Sequence, residues 1–299
     1  MSSYDLKGKS AVVTGAGSGI NYALTKYLLE AGCSVMMADI RLRPEAETLL
    51  SKYPRSGPVS AIFQPTDASL KAFGQVNIVC NGAGIYEAPS STFWNSPGIS
   101  PLAKDDPEGN PGVYQTFAVH TLGPIRLAQL AVDYWLEHRE VQGSLFFIAS
   151  AAAYHHSIHV PLYYASKAAI LSFSTSLKHL RLATGIRVAT LCPGIVRTPL
   201  LDSEYCRGLL LPTDVALTPE DCAAVAMQVL TGPQYGDGNA IEVILAGERD
   251  APRVAVREIP LESLQPAPGL HLDGHHMKQE AEAFLMRLAQ KGMRRYLEG

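Results

Sequence analysis

The stretch Ser10-Ala11-Val12-Val13-Thr14-Gly15-Ala16-Gly17-Ser18-Gly19-Ile20 joins a short apolar run to a glycine-rich turn and then to a helical pattern. The run predicts a buried strand, and the pattern beyond the turn predicts a helix. Glycines let the backbone approach a pyrophosphate, and the helix N-terminus offers free N–H donors and the positive end of the helix dipole. A spaced glycine pair also occurs in ordinary turns, but the strand and helix around this one favour a nucleotide site.

Short apolar runs alternate with longer helical patterns as far as Gly247, which is typical of parallel βαβ units. The runs predict strands at Ser10–Thr14, Ser34–Ala38, Val59–Phe63, Val76–Cys80, Ser144–Ala149, Arg187–Leu191 and Ala240–Leu245. The patterns predict helices at Ile20–Ala31, Glu45–Lys52, Val113–His138, Leu162–Thr184 and Pro219–Leu230. Near-continuous hydrophobic strands imply a sheet covered on both faces, so the predicted fold class is α/β, a Rossmann-type doubly wound parallel sheet of about seven strands.

The strand–helix pattern ends after Gly247. Residues 248–274 mix charges with prolines and predict an irregular arm, and a final helix is predicted from about Lys278 to Leu297. We therefore expect one dinucleotide-binding and catalytic domain over residues 1–247 and a C-terminal extension over residues 248–299.

Composition narrows the partners and the compartment. The chain of 299 residues is 47% hydrophobic with a formal charge of −3 and no basic stripe, which argues against a nucleic-acid partner. No run reaches the ~20 apolar residues of a membrane span, and the first residues lack the apolar core of a secretory signal. The five cysteines are widely spaced, odd in number and without a Cys-x-x-Cys, so we expect reduced thiols in a cytoplasmic protein.

Asp39 closes the second predicted strand, about twenty residues beyond the glycine turn. A carboxylate there can accept both ribose hydroxyls of an adenosine and repels a 2′-phosphate, which favours NAD over NADP. Arg41 and Arg43 follow closely and could blunt that discrimination, and a solvated Asp39 that caps the next turn is the alternative. Asp67, after the third strand, is placed to contact the adenine amine, or it is an ordinary turn-forming residue.

Tyr163 and Lys167 lie four residues apart in a predicted helix, and Ser150 precedes Tyr163 by thirteen residues. Residues at this spacing share one helix face, although the spacing alone is common on helix surfaces. A phenol titrates near pH ~10, and an ammonium within roughly 4–6 Å favours the phenolate. The pair therefore predicts a group that exchanges a proton with a substrate oxygen while a hydride moves elsewhere.

Taken together, these motifs resemble the short-chain dehydrogenase/reductase family over about residues 7–247. The resemblance rests on Thr14-Gly15 through Gly19, Asn81-Gly82-Ala83-Gly84, Ser150, Tyr163 with Lys167, and Pro193-Gly194 running to Thr198. It implies a single Rossmann domain with strand order 3-2-1-4-5-6-7. It also implies that Ser150 orients the substrate oxygen, that Tyr163 is the acid/base, and that Lys167 lowers the pKa of Tyr163 and holds the nicotinamide ribose.

The resemblance implies a hydride transfer between NAD(H) and a secondary alcohol or ketone, without a metal. The residues expected at the cofactor are Gly15, Gly17, Ser18, Gly19, Ile20, Asp39, Asp67, Asn81, Gly82, Ala83, Gly84, Tyr163, Lys167, Pro193, Gly194, Ile195, Val196 and Thr198. In the family, long helices like the two predicted over 113–138 and 162–184 form dimer and tetramer interfaces, so a homodimer or homotetramer is expected. Two alternatives stay open: a catalytically weakened binding protein of the same fold, and a non-redox cyclase or lyase.

Two residues depart from the family pattern. Asn21 stands where the family has a third glycine, so we expect a slightly wider helix–strand approach or an outward side chain. His120 stands where the family has an asparagine that positions a water beside the lysine. It is either a relay with a pKa near ~6.5, which would make the enzyme pH-sensitive, or a packed histidine that breaks the relay.

The link between the third and fourth predicted strands is also unusual, because only eight residues, 68–75, follow Asp67 before the fourth strand. In the order 3-2-1-4 it must span about 22 Å, and eight extended residues reach at most about 26–29 Å. We therefore expect a link without a helix, which would expose one sheet face beside the adenine pocket or loosen the cofactor half. A sequence misassembled from its gene would show the same pattern.

Apolar segments mark the expected substrate side. They are Ile85-Tyr86-Glu87-Ala88, Phe93-Trp94, Leu200-Leu201 and Leu209-Leu210-Leu211. Their content favours a hydrophobic, medium-sized alcohol or ketone, although such residues can instead cover core. His155 and His159 have helical metal spacing, but no neighbouring carboxylate or cysteine completes a ligand set. We expect these two, with His156, to be loop or pocket residues, and we interpret His271, His275 and His276 as ordinary tail residues.

Overall fold

The structure is a computed structural model that describes residues 3–54, 59–64, 74–104, 108, 114–206, 208–260 and 274–293. Asp67, six residues of the short link (68–73), His271 and the end of the predicted final helix lie outside the described residues. Within the described part of the chain, no helix is long and apolar enough to cross a membrane.

A sheet of eight strands in the order β3-β2-β1-β4-β5-β6-β7-β8 forms the centre of the fold. The strands are β1 Ser10–Thr14, β2 Ser34–Ala38, β3 Ala61–Gln64, β4 Ile78–Asn81, β5 Ser144–Ile148, β6 Arg187–Pro193, β7 Asp237–Ala246 and β8 Arg253–Glu258. All neighbours up to β7 pair in parallel, and β8 runs antiparallel to β7. The predicted α/β class is confirmed, with one strand more than expected.

Helices cover both faces of this sheet. They are α1 Gly19–Glu30, α2 Pro44–Ser51, α3 Gln115–Phe117, α4 Gly123–Glu137, α5 Pro161–Ser176, α6 Leu180–Thr184, α7 Pro219–Thr231 and α8 Gly274–Lys291. Val13 and Met37 belong to a core layer shared with α1 and α7. Val12 and Met36, one residue earlier, belong to the layer that contains Trp135 of α4. Successive residues of each strand therefore pack alternately into two cores, which explains the near-continuous apolar runs.

Both long predicted helices are interrupted. A π-helical turn, Ala118–Leu122, separates α3 from α4 and contains His120. The second break follows α5, because His179 adopts a left-handed conformation, φ 75°, just before α6. A single helix across this point is ruled out by that backbone angle. The predicted helix end at Thr184 is confirmed, because α6 ends there and Gly185 follows with φ 81°.

The segment after Gly247 is not irregular throughout, because β8 lies within it. Arg253–Glu258 pairs residue by residue with β7, and Arg257 forms an ion pair with the buried Glu242. The mixture of charges and prolines suggested an arm, yet an edge strand carries charges on its solvent side. The domain boundary at residue 247 stays a prediction, although β8 extends the same sheet.

The final helix, α8, packs on the chain's own fold. Leu288 is buried in the core layer around Trp135, and the Arg139 guanidinium donates hydrogen bonds to the carbonyl oxygens of Leu288 and Ala289, at 3.3 and 2.7 Å. The helix begins at Gly274, four residues earlier than predicted.

The whole link between β3 and β4 is longer than the eight residues counted after Asp67. Because β3 ends at Gln64 and β4 begins at Ile78, thirteen residues, 65–77, join them. Thirteen extended residues reach at most about 43–47 Å, so the length limit that argued against a helix is relaxed.

Candidate active site

The glycine turn after β1 interlocks with the end of β2. The Asp39 carboxylate accepts hydrogen bonds from the backbone N–H groups of Gly17 and Ile40, both at 2.7 Å. A Cβ on Gly17 would lie 2.2 Å from the carbonyl oxygen of Arg41, so only glycine fits there. Asp39 is thus beside the turn, as a ribose-binding residue would be, and it also caps the following turn, which was the alternative.

The N-terminus of α1 faces the same turn. Ser18 precedes the helix without a side-chain capping bond, and the first helical turn contains no acidic residue. The first N–H groups of a helix lack helical partners and attract anions. A Cβ on Gly19 would approach Thr198 at 3.4 Å, which places the loop after β6 against this end of the helix.

Asn21 points inward, so an outward side chain is ruled out, and the wider helix–strand approach stays a prediction. The side chain is buried, and its Nδ2 donates a hydrogen bond of 2.6 Å to the carbonyl oxygen of Gly82. A Cβ on Gly82 would lie 2.1 Å from Asn21 Oδ1. Thr14 Oγ1 also accepts from the N–H groups of Gly82 and Ala83, at 3.0 and 3.2 Å. The loop after β4 is therefore bound to both β1 and α1.

Asn81, the last residue of β4, carries the clearest sign of a polar binding site. Its side chain is 4% exposed, and both amide atoms lack a hydrogen-bond partner among the described residues. Buried amides in native proteins are normally satisfied by protein, water or a ligand. The amide is thus available to a bound group on this side of the sheet.

Ser150, Tyr163 and Lys167 meet at the carboxyl end of β5. Ser150 follows β5 and caps a short 3-10 turn, Ala151–Tyr154, while Tyr163 and Lys167 lie on α5. The Ser150 hydroxyl lies within reach of the Tyr163 phenol, whose pKa its hydrogen bonding lowers, and it donates to the carbonyl oxygen of Pro193 at 3.4 Å. Lys167 Nζ lies 5.9 Å from the centre of the Tyr163 ring and donates a hydrogen bond of 3.3 Å to the carbonyl oxygen of Ile148.

The two titrating groups of this cluster are both shifted toward their neutral forms. Burial raises the pKa of Tyr163 to about 12, and the hydrogen bond from Ser150 acts in the opposite direction. Burial also lowers the pKa of Lys167 to about 8. The expected lowering of the Tyr163 pKa by Lys167 is therefore not seen, because desolvation outweighs a cation that lies 5.9 Å from the ring centre.

His120 is packed and fixed in one tautomer. Its Nε2 accepts from the Ile85 N–H at 3.0 Å, and its Nδ1 lies 2.9 Å from Ser166 Oγ. Since Ser166 donates its own hydroxyl proton to the Tyr163 carbonyl at 2.7 Å, Nδ1 must carry the imidazole proton. Burial lowers the His120 pKa well below 6.5. His120 is therefore the packed histidine of the second alternative. The pKa near ~6.5 that we expected for a relay is wrong.

One aromatic residue of the expected substrate side contacts the Tyr163 ring. Tyr86 packs on Tyr163 with ring centres 5.1 Å apart. Phe93, Trp94, Leu209 and Leu211 are exposed, so these four do not cover core. The Trp94 indole donates to the Ile158 carbonyl at 2.8 Å, which ties the loop after β4 to the loop before α5.

The other predicted site residues lie at the end of β6, in the loop after it, and in the loop before α5. Pro193 ends β6, and Gly194, Ile195, Val196 and Thr198 form the loop beyond it. His155, His156 and His159 are exposed. The described ranges contain no group of three His, Cys, Asp or Glu residues that could hold a metal ion. The cofactor roles of the loop residues stay predictions.

Sequence reasoning gave no role to Glu87. Its buried carboxylate accepts the Tyr163 N–H at 2.8 Å. The available signal was the sequence before α5, where Val160 occupies the position that a capping Ser, Thr, Asp or Asn usually fills.

Known proteins resemble this chain along most of its length. Residues 9–205 match the family model described as short chain dehydrogenase. A 1-deoxy-11-beta-hydroxypentalenate dehydrogenase of Streptomyces exfoliatus is 30% identical over 244 residues, 77% of this chain and 82% of that protein. An uncharacterized oxidoreductase of Staphylococcus aureus is 28% identical over 251 residues, 80% of this chain and 97% of that protein.

One solved structure shares the fold at comparable coverage. It is the 3-ketoacyl-(acyl-carrier-protein) reductase of Brucella melitensis complexed with NADH, at 26% identity and a TM-score of 0.62. The match covers 79% of this chain and 97% of that chain.

Proposed function

This chain belongs to the short-chain dehydrogenase family, and from that premise we propose that it transfers a hydride between NAD(H) and a hydrophobic secondary alcohol or ketone. The observation that carries the proposal is the cluster of Ser150, Tyr163 and Lys167. A serine hydroxyl beside a partly buried phenol, with a buried ammonium near the ring, suits proton exchange with a substrate oxygen.

The cofactor side supports this proposal because the residues fit a dinucleotide. The Gly17 backbone leaves no room for a Cβ, and the uncapped start of α1 offers N–H donors for a pyrophosphate. The unpartnered Asn81 amide lies at the carboxyl end of β4. When bound, the nicotinamide would supply the hydride donor or acceptor.

The protein's own part is to hold the substrate oxygen and move a proton to or from it. Ser150 would donate a hydrogen bond to that oxygen, and the Tyr163 phenol would deliver the proton during reduction and take it during oxidation. Because the pKa of Tyr163 is about 12 without a ligand, the protonated phenol required for reduction prevails at neutral pH. Oxidation requires the phenolate, which the Ser150 hydroxyl and a charged Lys167 favour.

Asp39 supports NAD as the preferred cofactor. Its carboxylate lies beside the glycine turn, where it would repel a 2′-phosphate. Arg43, which could attract that phosphate, forms an ion pair with Asp202 at 3.1 Å. The related Brucella structure is described as complexed with NADH.

Apolar residues at the open side of the site support a hydrophobic substrate. Tyr86 packs against Tyr163, and Leu209 and Leu211 are exposed beyond β6. A relative with 30% identity is named as the dehydrogenase of a hydroxypentalenate. We also propose that the chain forms a homodimer or homotetramer, as the family resemblance implies. From its composition, we propose that it has no nucleic-acid or membrane partner.

Replacement of Tyr163 by Phe tests the proposal. We expect the purified wild-type protein to bind NADH more tightly than NADPH, measured by nicotinamide fluorescence, and to oxidise hydrophobic secondary alcohols with formation of reduced nicotinamide. Tyr163→Phe should lose turnover and keep the affinity for NADH. Undiminished turnover in the variant would contradict the proposal, and product formation without a change in nicotinamide absorbance would indicate non-redox chemistry.

A further inference from the structure

Helix α5 carries Tyr163 and Lys167 but begins without a capping side chain of its own. Val160 stands at the N-cap and makes no side-chain capping bond, and Pro161 follows at the first helical position without an N–H. Tyr163 is the third helical residue, so its N–H belongs to the first turn, where donors have no carbonyl partner within the helix. An acceptor must therefore come from elsewhere in the fold.

Glu87, in the loop after β4, supplies that acceptor from 76 positions earlier in the chain. Its Oε2 accepts the Tyr163 N–H at 2.8 Å, and its Oε1 accepts the Thr92 hydroxyl. The side chain is 4% exposed. Both oxygens therefore make hydrogen bonds, and the carboxyl group lies at the positive end of the α5 dipole.

The Tyr163 backbone is consequently held on both sides. Glu87 binds its N–H, while Ser166 donates to its carbonyl oxygen at 2.7 Å. Ser166 is itself bound by the fixed imidazole of His120 at 2.9 Å. A residue whose N–H and carbonyl oxygen are both bound has little freedom to shift, and its phenol moves with it.

We propose that Glu87 is a positioning residue that fixes the phenol of Tyr163 against Ser150 by holding the first turn of α5. The inference rests on the proposed function, since it gives Glu87 a part in the same reaction. The contact also joins the loop after β4, which includes Tyr86, to the helix that carries Tyr163. One carboxylate therefore holds both the substrate-side loop and the catalytic helix in place. Glu87 itself does not touch the reacting atoms in this arrangement.

Two variants separate the positioning role from a general effect on folding. Glu87→Ala removes both hydrogen bonds, whereas Glu87→Gln keeps an amide oxygen that can accept the Tyr163 N–H. The matched control is Glu220→Ala, which removes an exposed acidic residue from the first turn of α7. All three proteins are compared under conditions where circular dichroism shows them fully folded.

Hydrogen exchange measures the contact directly, without substrate. We expect Glu87→Ala to lower the protection of the Tyr163 amide, followed by NMR, at least about tenfold relative to the wild type. Glu87→Gln should retain most of that protection, and Glu220→Ala should leave it unchanged. Unchanged protection in folded Glu87→Ala would overturn the inference.

Kinetics then measure the consequence for Tyr163. Glu87→Ala should lower kcat by about tenfold or more, because small displacements of a catalytic group are costly, with an unchanged dissociation constant for NADH. Its oxidation rate should also rise at a higher pH than that of the wild type, since a displaced phenol loses the Ser150 hydrogen bond that lowers its pKa. Glu87→Gln should restore kcat and the pH profile.

The two proposals fail in different ways. If the wild type is inactive but Glu87 protects the Tyr163 amide from exchange, the proposed dehydrogenase activity is contradicted and the Glu87 contact is confirmed. An active wild type whose Glu87→Ala variant keeps both kcat and its pH profile would contradict the positioning role alone.

Discussion

The side-chain amide of Asn21 donates a 2.6 Å hydrogen bond to the carbonyl oxygen of Gly82, across 61 positions of sequence. The bond joins the first helix of the cofactor side to the loop that continues toward the substrate side. A glycine at position 21 would allow closer helix–strand packing, but it could not make this connection. The departure from the family pattern therefore replaces close packing by a specific polar contact.

Replacing Asn21 by Ala should destabilise the protein and weaken cofactor binding. The partly buried Gly82 carbonyl would lose its partner, which we expect to lower the free energy of unfolding by ~1–3 kcal/mol, measured by urea denaturation. The affinity for NADH should fall with it, because the loop that follows Asn81 is released. Lys26→Ala, an exposed change on the same helix, is the control, and equal effects of the two variants would contradict the assignment.

His120 should make the stability pH-dependent on the acid side. Its folded-state pKa is well below 6.5, whereas an unfolded histidine titrates near ~6.5. Below that pH the unfolded chain binds one more proton, so stability present above ~6.5 is lost as the pH falls, by up to ~1.4 kcal/mol per pH unit. Urea unfolding between pH 5 and 8 should show this component in the wild type.

The variant His120→Gln should lack that component, and His138→Gln, at an exposed position, should keep it. An identical pH dependence in the wild type and His120→Gln would show that the buried imidazole does titrate normally in the folded state.

Lys167 should be a site where activity and stability oppose each other. Burial lowers its pKa to about 8, compared with ~10.4 in an unfolded chain. At pH 7 the charged ammonium is therefore destabilising, and this cost disappears as the pH rises toward ~10.4. We expect Lys167→Met to raise the free energy of unfolding at pH 7 by about 2–4 kcal/mol while turnover is lost.

The pH dependence provides the check on Lys167. The gain in stability of Lys167→Met over the wild type, measured by urea denaturation, should shrink between pH 8 and pH 10. A variant less stable than the wild type at pH 7 would mean that the bond to the Ile148 carbonyl outweighs the burial of the charge.

Asp39 should set the cofactor preference. Asp39→Asn keeps an oxygen that can accept the Gly17 N–H and removes the charge that repels a 2′-phosphate. We expect the ratio of NADPH to NADH affinity, measured by nicotinamide fluorescence, to rise by about tenfold or more. Asp5→Asn, an exposed change of equal charge, should leave the ratio unchanged. A wild type that binds NADH and NADPH equally well would contradict the role given to Asp39.

The sequence by itself determined the features that depend on neighbouring residues. The bounds of β1 and β2 agree with the prediction residue for residue, because each is a short apolar run closed by turn residues. The α/β class followed from the alternation of such runs with helical patterns. The spacing of Tyr163 and Lys167 placed them on one helix, since helical periodicity is a local property.

Only the tertiary structure decided the features that depend on distant residues. Glu87 caps α5 from 76 positions away, and β8 becomes a strand because β7 offers a free edge. The pKa of Tyr163 rises instead of falling because burial, which no spacing reveals, outweighs the neighbouring cation. Burial and long-range hydrogen bonds exist only once the chain has folded, and they decide how the predicted residues are charged and held.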